Sequence, residues 1–274
     1  MREFTFGQYY PEDSVMHRLD ARVKIVMTIA FMVGIFLVKN FVGFILPIIF
    51  LAAEIILSKV PFKYVLKTLK PIVFLIVFTA ILNLLFYSTG EIIWEFYFIK
   101  IRDEALVFCG FMALRLVLLV LGSSLMTLTT QPVELTDGIE SLMSPLKVIK
   151  FPVHELALIM SIALRFIPTL TDEADRIIRA QKARGADFES GNVFARAKSL
   201  IPILIPLLVS SFRRADELAD AMDARCYGGN VKRTKYKVFR IRFADIVALV
   251  LTALLIAAIC VLNALIAKGI IVLP

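Results

Sequence analysis

Ile25-Val-Met-Thr-Ile-Ala-Phe-Met-Val-Gly-Ile-Phe-Leu-Val38, Lys39-Asn40, Phe41-Val-Gly-Phe-Ile-Leu-Pro-Ile-Ile-Phe-Leu-Ala-Ala-Glu-Ile-Ile-Leu57: two apolar runs are separated by one charged and one polar residue. A single helix over 25–57 would be about 50 Å long, far more than the roughly 30 Å hydrocarbon core of a bilayer. The stretch therefore predicts two short membrane helices joined by a tight turn at Lys39-Asn40. Charge agrees. Residues 1–24 carry Arg2, Arg18, Arg22 and Lys24, and residues 59–70 carry Lys59, Lys63, Lys67 and Lys70. Cationic flanks stay in the cytoplasm, so an even number of crossings must separate these two segments.

Working outward, further apolar runs occupy 71–87, 105–129 and 243–267. With 59% hydrophobic residues, 22 Phe and a mean hydropathy of +0.82, the 274-residue chain is too apolar for a soluble domain. The expected fold is an all-α integral membrane protein of about five transmembrane helices. Residues 88–104 are acidic and aromatic (Glu91, Trp94, Glu95, Phe96, Tyr97, Phe98), as befits an outer loop touching the interface. Segment 130–242 holds 18 of the 31 basic residues and is read as a large α-helical cytoplasmic region inserted between the fourth and fifth spans. The expected divisions are 1–129 (N-terminal segment and helices one to four), 130–242 (cytoplasmic helices) and 243–274 (last span and C-terminus). The N-terminus and the inserted region face the cytoplasm and the C-terminus faces outside. The basic excess follows topology, so no nucleic-acid partner is expected. Cys109, Cys226 and Cys260 form an odd set without CxxC spacing, which predicts neither a disulfide frame nor a zinc site. Residues 1–24 contain no apolar stretch of the kind found in a cleaved signal.

Within the inserted region, Leu135, Ile139, Leu142, Met143 and Leu146 recur at helical spacing and form one apolar face, with Pro145 and Pro152 at its end. Two short apolar segments follow: 156–167, closed by Pro168, and 199–212, containing Pro202 and Pro206. Packing on each other, lying in the interface and forming a re-entrant pair are all open to them. Each leads into a charged helix, and these two helices end alike. Glu173-Ala-Asp-Arg-Ile-Ile-Arg-Ala-Gln-Lys-Ala-Arg-Gly185 and Arg214-Ala-Asp-Glu-Leu-Ala-Asp-Ala-Met-Asp-Ala-Arg-Cys226 agree, at an offset of 41, at Ala174/Ala215, Asp175/Asp216, Ala180/Ala221, Ala183/Ala224 and Arg184/Arg225. Acidic residues early and a cation late suit the helix dipole. Gly185 and Cys226-Tyr227-Gly228-Gly229 supply the stops. Alanines one and four residues before each arginine leave that face of the last turn bare. A guanidinium beyond it suits an acidic groove on another protein better than a catalytic role.

Three stretches together resemble a known family, the transmembrane T component of energy-coupling factor (ECF) transporters (EcfT/CbiQ). They are Gly7-Gln-Tyr-Tyr-Pro-Glu-Asp-Ser-Val-Met-His-Arg-Leu-Asp-Ala-Arg-Val-Lys24, Ala163-Leu-Arg-Phe-Ile-Pro168 and the paired boxes at 183–185 and 224–226. The likeness covers nearly the whole chain. Ala21 stands where the family often has Pro, and Cys226 replaces the Gly of the second box. The resemblance implies a non-enzymatic coupling subunit of a vitamin or micronutrient importer. Its partners would be two homologous ABC-type ATPases and one small membrane substrate-binding subunit. Ala183, Arg184, Gly185, Ala224, Arg225 and Cys226 would dock on the ATPases, which bind the ATP and Mg. The Leu135/Ile139/Leu142/Met143/Leu146 face would receive the capture subunit.

The residues themselves agree on several points. There is no G-x-x-x-x-G-K-[ST] loop for ATP, and His17 and His154 stand apart from other ligand types, so no metal or cofactor is expected in this chain. The alternative is a membrane-embedded lipid-modifying transferase using Arg, Asp and Glu of 171–226 on a phosphorylated headgroup, but no compact acidic cluster supports it. A channel would need more polar residues than the Glu54, Asn83, Arg115 and Asn263 that interrupt the spans. Depth counting from the outer helix ends places Arg115 and Glu54 within about 5 Å of one level and predicts an ion pair between them.

Overall fold

The computed structural model of the chain describes residues 9–86, 92–96, 99–188, 192–228 and 242–268. Gly7 and Gln8 of the N-terminal motif, Gly229 of the second helix stop, and Glu91, Tyr97 and Phe98 of the outer loop lie outside the described residues. Among the described residues the chain divides into two compact units, a body formed by residues 9–151 together with those from 242 onward, and an inserted unit over 152–228.

The body opens with α1 (Ala21–Leu37), whose N-cap Asp20 accepts a hydrogen bond from Arg22 N at 3.0 Å. The chain leaves the helix at Val38 in extended conformation, and a 3-10 turn (Phe41–Phe44) leads into α2 (Ile45–Ser58). The two apolar runs are thus two helices, as their length requires. Next come α3 (Phe62–Lys67) and α4 (Lys70–Phe86), then β1 (Ile92–Phe96) and β2 (Ile99–Arg102), paired antiparallel with Ile92 opposite Arg102. The ribbon was not foreseen. Its β-branched and aromatic residues favour extended backbone within a fold that is otherwise helical. The body continues with α5 (Asp103–Thr129), α6 (Pro132–Leu142) and a 3-10 turn (Ser144–Ile149), and closes with α10 (Phe243–Ala267). Segment 130–151 belongs to this body.

α1 is its centre, packed by α5, α6 and α10. Gly122 of α5 sits on the Phe31 ring, where a Cβ would stand 2.5 Å from Cε1, and Gly34 faces Ile256 and Ile259 of α10. Small residues let helices approach where lipid supplies no hydrophobic drive. Phe31, Ile35, Val38, Phe44, Leu51, Leu118, Leu125, Leu255 and Ile259 form the core.

The predicted Glu54–Arg115 pair is not formed. Arg115 donates through Nη2 to the Val38 carbonyl at 2.7 Å and lies 4.7 Å from the Phe111 ring centroid. Glu54 instead lines a small cavity with Lys24, Thr28, Gly122 and Thr129. Gly110, seven residues into α5, faces the ring of Phe41, the first residue of the 3-10 turn, so the two helices are staggered. Equal counts from the two helix ends therefore do not mean equal depth.

The inserted unit holds α7 (Val153–Ala183), α8 (Val193–Ser199) and α9 (Ile201–Asp223). Pro168 was expected to close the first apolar segment, yet α7 runs through it for 31 residues, so apolar root and charged end are one helix. α9 likewise starts with Pro202 in its first turn and continues past Pro206. Four helices among the described residues are long and apolar enough to cross a membrane: Phe41–Ser58, Asp103–Thr129, Val153–Ala183 and Phe243–Ala267. Lys70–Leu84 is shorter, as is the 17-residue α1. The third of the four was not among the expected spans; it qualifies because its apolar half is continuous with the rest of α7.

Candidate functional site

Both boxed helix ends close with the same pair of hydrogen bonds. At the first, Gly185 N donates to Lys182 O and Ala186 N to Gln181 O, each at 3.0 Å. At the second, Cys226 N donates to Asp223 O at 2.9 Å and Tyr227 N to Met222 O at 3.0 Å. This is the Schellman closure, which calls for a left-handed residue just after the helix. Gly185 has φ 87° and Cys226 has φ 53°. The second helix therefore turns at Cys226, two residues before the Gly228-Gly229 expected to supply the turn. Ala183, Arg184 and Gly185 at one end, and Ala224, Arg225 and Cys226 at the other, are all exposed.

α7 and α9 pack antiparallel. Gln181 Nε2 donates to Pro202 O at 3.5 Å, Arg214 Nη2 pairs with Glu173 Oε2 at 3.0 Å, and Ile162 and Phe166 share a groove of about 300 Å³ with Leu218 and Met222. The Glu173–Arg214 contact lies eleven residues before each boxed arginine. At 1.5 Å per residue it is midway between two tips that are about 33 Å apart along the pair and face opposite ways. Helical periodicity does not reveal this contact, although the same 41-residue offset relates its two partners.

The Leu135, Ile139, Leu142, Met143 and Leu146 face lies in the body, in α6 and the 3-10 turn after it. Leu135, Ile139 and Met143 are half-buried, whereas Leu142 and Leu146 are exposed. The exposed apolar surface continues through Val148, Ile149 and Phe151, with Val148 88% accessible. The fully buried positions of α6 are Thr136 and Gly138, and Gly138 lies against Ala21 of α1.

A buried polar cluster joins the start of α1 to the end of α5 and the start of α10. Lys24, 3% exposed, donates through Nζ to Thr129 O at 2.8 Å. Asp245, 1% exposed, accepts from Asp20 N at 2.9 Å and from Arg242 N at 2.7 Å. Sequence reading singled out Asp20 and Lys24 only as part of a motif or as flanking charge, and Thr129, Arg242 and Asp245 not at all. Their partners are 105 and 225 residues away along the chain. Among the described residues no group of three or more His, Cys, Asp or Glu is placed to hold a metal ion.

Long apolar helices, a body built around α1 and an inserted pair of charged-ended helices define a multi-pass membrane protein. A family model described as "Cobalt transport protein" (CbiQ) matches residues 12–236. The chain is 52% identical over 255 residues to the energy-coupling factor transporter transmembrane protein EcfT of Thermosediminibacter oceani, covering 93% of this chain and 96% of the relative. It is 50% identical over 266 residues to the same-named protein of Clostridium kluyveri (96% and 97% covered), and 48% identical over 237 residues to that of Bacillus subtilis (86% and 89%). The chain belongs to the EcfT/CbiQ family and is a transmembrane T component of an ECF transporter, a non-enzymatic role.

Proposed function

We propose that this T component couples two homologous ABC-type ATPases to a small substrate-capture membrane subunit of a vitamin or other micronutrient importer. Its N-terminus and inserted unit face the cytoplasm, and its C-terminus faces outside. The observation that carries this reading is the pair of like-built helix ends, each presenting an exposed arginine at the same distance from a central ion pair. Two similar tips suit two similar partners. ATP and Mg belong to the ATPases, and this chain holds no cofactor of its own. The capture subunit rests on the Leu135/Ile139/Leu142/Met143/Leu146 face and its exposed continuation, because a large apolar surface in the cytoplasm needs a cover.

Ala183, Arg184 and Gly185 seat in one ATPase groove, and Ala224, Arg225 and Cys226 in the other. Removing a buried guanidinium leaves the partner's carboxylates desolvated and unpaired, at a cost of about 2–5 kcal/mol, and reversing its charge adds repulsion. Arg184→Glu with Arg225→Glu is therefore expected to abolish ATPase association while leaving membrane insertion intact. Either single change is expected to be milder, because the remaining tip keeps the second contact at high local concentration. The measurement is the amount of ATPase retained on the purified double variant; retention at the wild-type level overturns the assignment.

A further inference from the structure

The inserted unit is continuous in sequence with the body at both of its ends, so a displacement carried along the chain enters the body at these two connections. On the outgoing side, α5 ends at Thr129 and α6 follows. On the returning side, α10 begins after Arg242. Both are fastened to the same short segment. Tyr10 N donates to Leu128 O at 2.9 Å, His17 Nε2 to Tyr10 O at 2.9 Å, and Lys24 Nζ to Thr129 O at 2.8 Å. Asp20 N donates to Asp245 Oδ1 at 2.9 Å, and Asp245 Oδ2 accepts from Arg242 N. A Cβ on Gly138 would stand 3.1 Å from Ala21 Cβ and 3.3 Å from its carbonyl carbon, so α6 lies backbone to backbone on the first turn of α1.

We infer that residues 9–25 are a positioning clasp that holds the outgoing and returning connections together, so that force from the inserted unit moves α1, α5, α6 and α10 as one body. This rests on the coupling role proposed above. Buried charges at these positions are costly unless paired, and a buried pair that loses one partner is destabilised far more than an exposed one. Lys24, Thr129 and Asp245 are each under 5% exposed, so the ties are shielded from competing water. The lysine reaches a backbone carbonyl and the aspartate takes a backbone N–H. These ties locate the chain itself, which is what transmitting a displacement requires.

The test uses the full transporter as purified with its own subunits. Cys109 and Cys260 are first replaced by serine and Cys226 by glycine, the residue that its counterpart Gly185 already is at the same left-handed stop, and spin labels are then placed at Ser144→Cys after α6 and Phe243→Cys at the start of α10. The interlabel distance is measured alone and with ATP, Mg and vanadate. The expected wild-type result is a single narrow distance that the nucleotide does not shift. Lys24→Met and Asp245→Asn are expected to broaden it and to make it nucleotide-dependent. Gly138→Ala, which removes no charge, is expected to shift it by pushing α6 off α1. A wild-type distance that shifts with nucleotide overturns the clasp, as does a distribution that stays narrow and unshifted in all three variants. If no ATPase co-purifies, the coupling role fails, and the nucleotide-free distributions of the three variants still decide the clasp.

Discussion

Cys226 is a side-chain-bearing residue in the left-handed region, with φ 53° where its counterpart Gly185 has φ 87°. That conformation costs an L-residue about 1–2 kcal/mol. Cys226→Gly is expected to relieve it and slow hydrogen exchange of the Tyr227 amide, which closes that helix end. Gly185→Ala is expected to speed exchange at Ala186 by about fivefold or more, the equivalent of 1 kcal/mol. A Cβ at Gly185 meets nothing within 4 Å, so this cost is conformational and not steric. Equal exchange before and after both changes would refute the argument. The need for a left-handed residue was legible in the first box, whose glycine stands at the stop. It was hidden in the second, where two later glycines offered a more conventional turn. His17 gives a second test. The Tyr10 carbonyl can only accept, so Nε2 carries the proton and Nδ1 accepts from Ser14 Oγ at 2.7 Å. Burial pushes this imidazole below its ordinary value of 6.5, partly opposed by the Tyr10 carbonyl and reinforced by the charge of Lys24. The neutral form's contribution to stability is thus complete above about pH 6.5 and is lost as pH falls below it toward the lower folded value. Thermal scans should show a loss of stability on acidifying through that window in the wild type. His17→Gln should lack that component of the loss.

The C-terminal carbonyls of α1 illustrate how one element is held by its neighbours. A helix end leaves its last carbonyls without internal partners. Here Arg115 of α5 donates to Val38 O and Asn263 of α10 donates to Leu37 O, both at 2.7 Å. Two of the polar residues that interrupt the apolar runs are thereby explained as cross-helix caps. Leaving a buried carbonyl unsatisfied costs about 1–3 kcal/mol. Arg115→Leu, which strips the buried Val38 carbonyl, is expected to lower thermal stability by that order, Asn263→Leu, whose bond to Leu37 O is exposed, by less, and Glu54→Leu combined with Arg115→Leu is expected to be additive. A strong coupling between Glu54 and Arg115 in that cycle would restore the ion pair the structure lacks. The helices themselves were legible from length and hydropathy. Their relative stagger was not, because it depends on how Phe41 meets Gly110, which no periodicity encodes. Pro168 misled for a related reason: proline removes one hydrogen bond from a helix but does not prevent neighbouring turns from continuing.

For the whole molecule, hydropathy and charge made the membrane body and the inserted helices readable, and the repeated boxes made their ends readable. The long-range ties through Lys24 and Asp245 were not readable, since a charge flanking an apolar run looks the same whether it faces water or a backbone carbonyl. The apolar surface from Leu142 to Phe151 belongs to this scale too: among the described residues Leu142, Leu146, Val148, Ile149 and Phe151 are exposed, while the buried positions of α6 are Thr136 and Gly138. Leu142→Asp is expected to release the capture subunit and keep the ATPases, as read by pull-down. Simultaneous loss of all partners would indicate misfolding and remove the support for this docking face.

The Glu173–Arg214 contact has a further consequence. Because α7 and α9 carry the same motif and run antiparallel, they are related by an approximate dyad. Positions related by the 41-residue offset face each other only where that dyad crosses the pair, and Glu173 and Arg214 stand there. Elsewhere the two copies can be identical without either copy's residue meeting its own likeness. On the dyad a strict duplication would set carboxylate against carboxylate or guanidinium against guanidinium. The ion pair thus occupies the level at which identical side chains in the two like-ended helices would have met, and there the two sequences carry opposite charges.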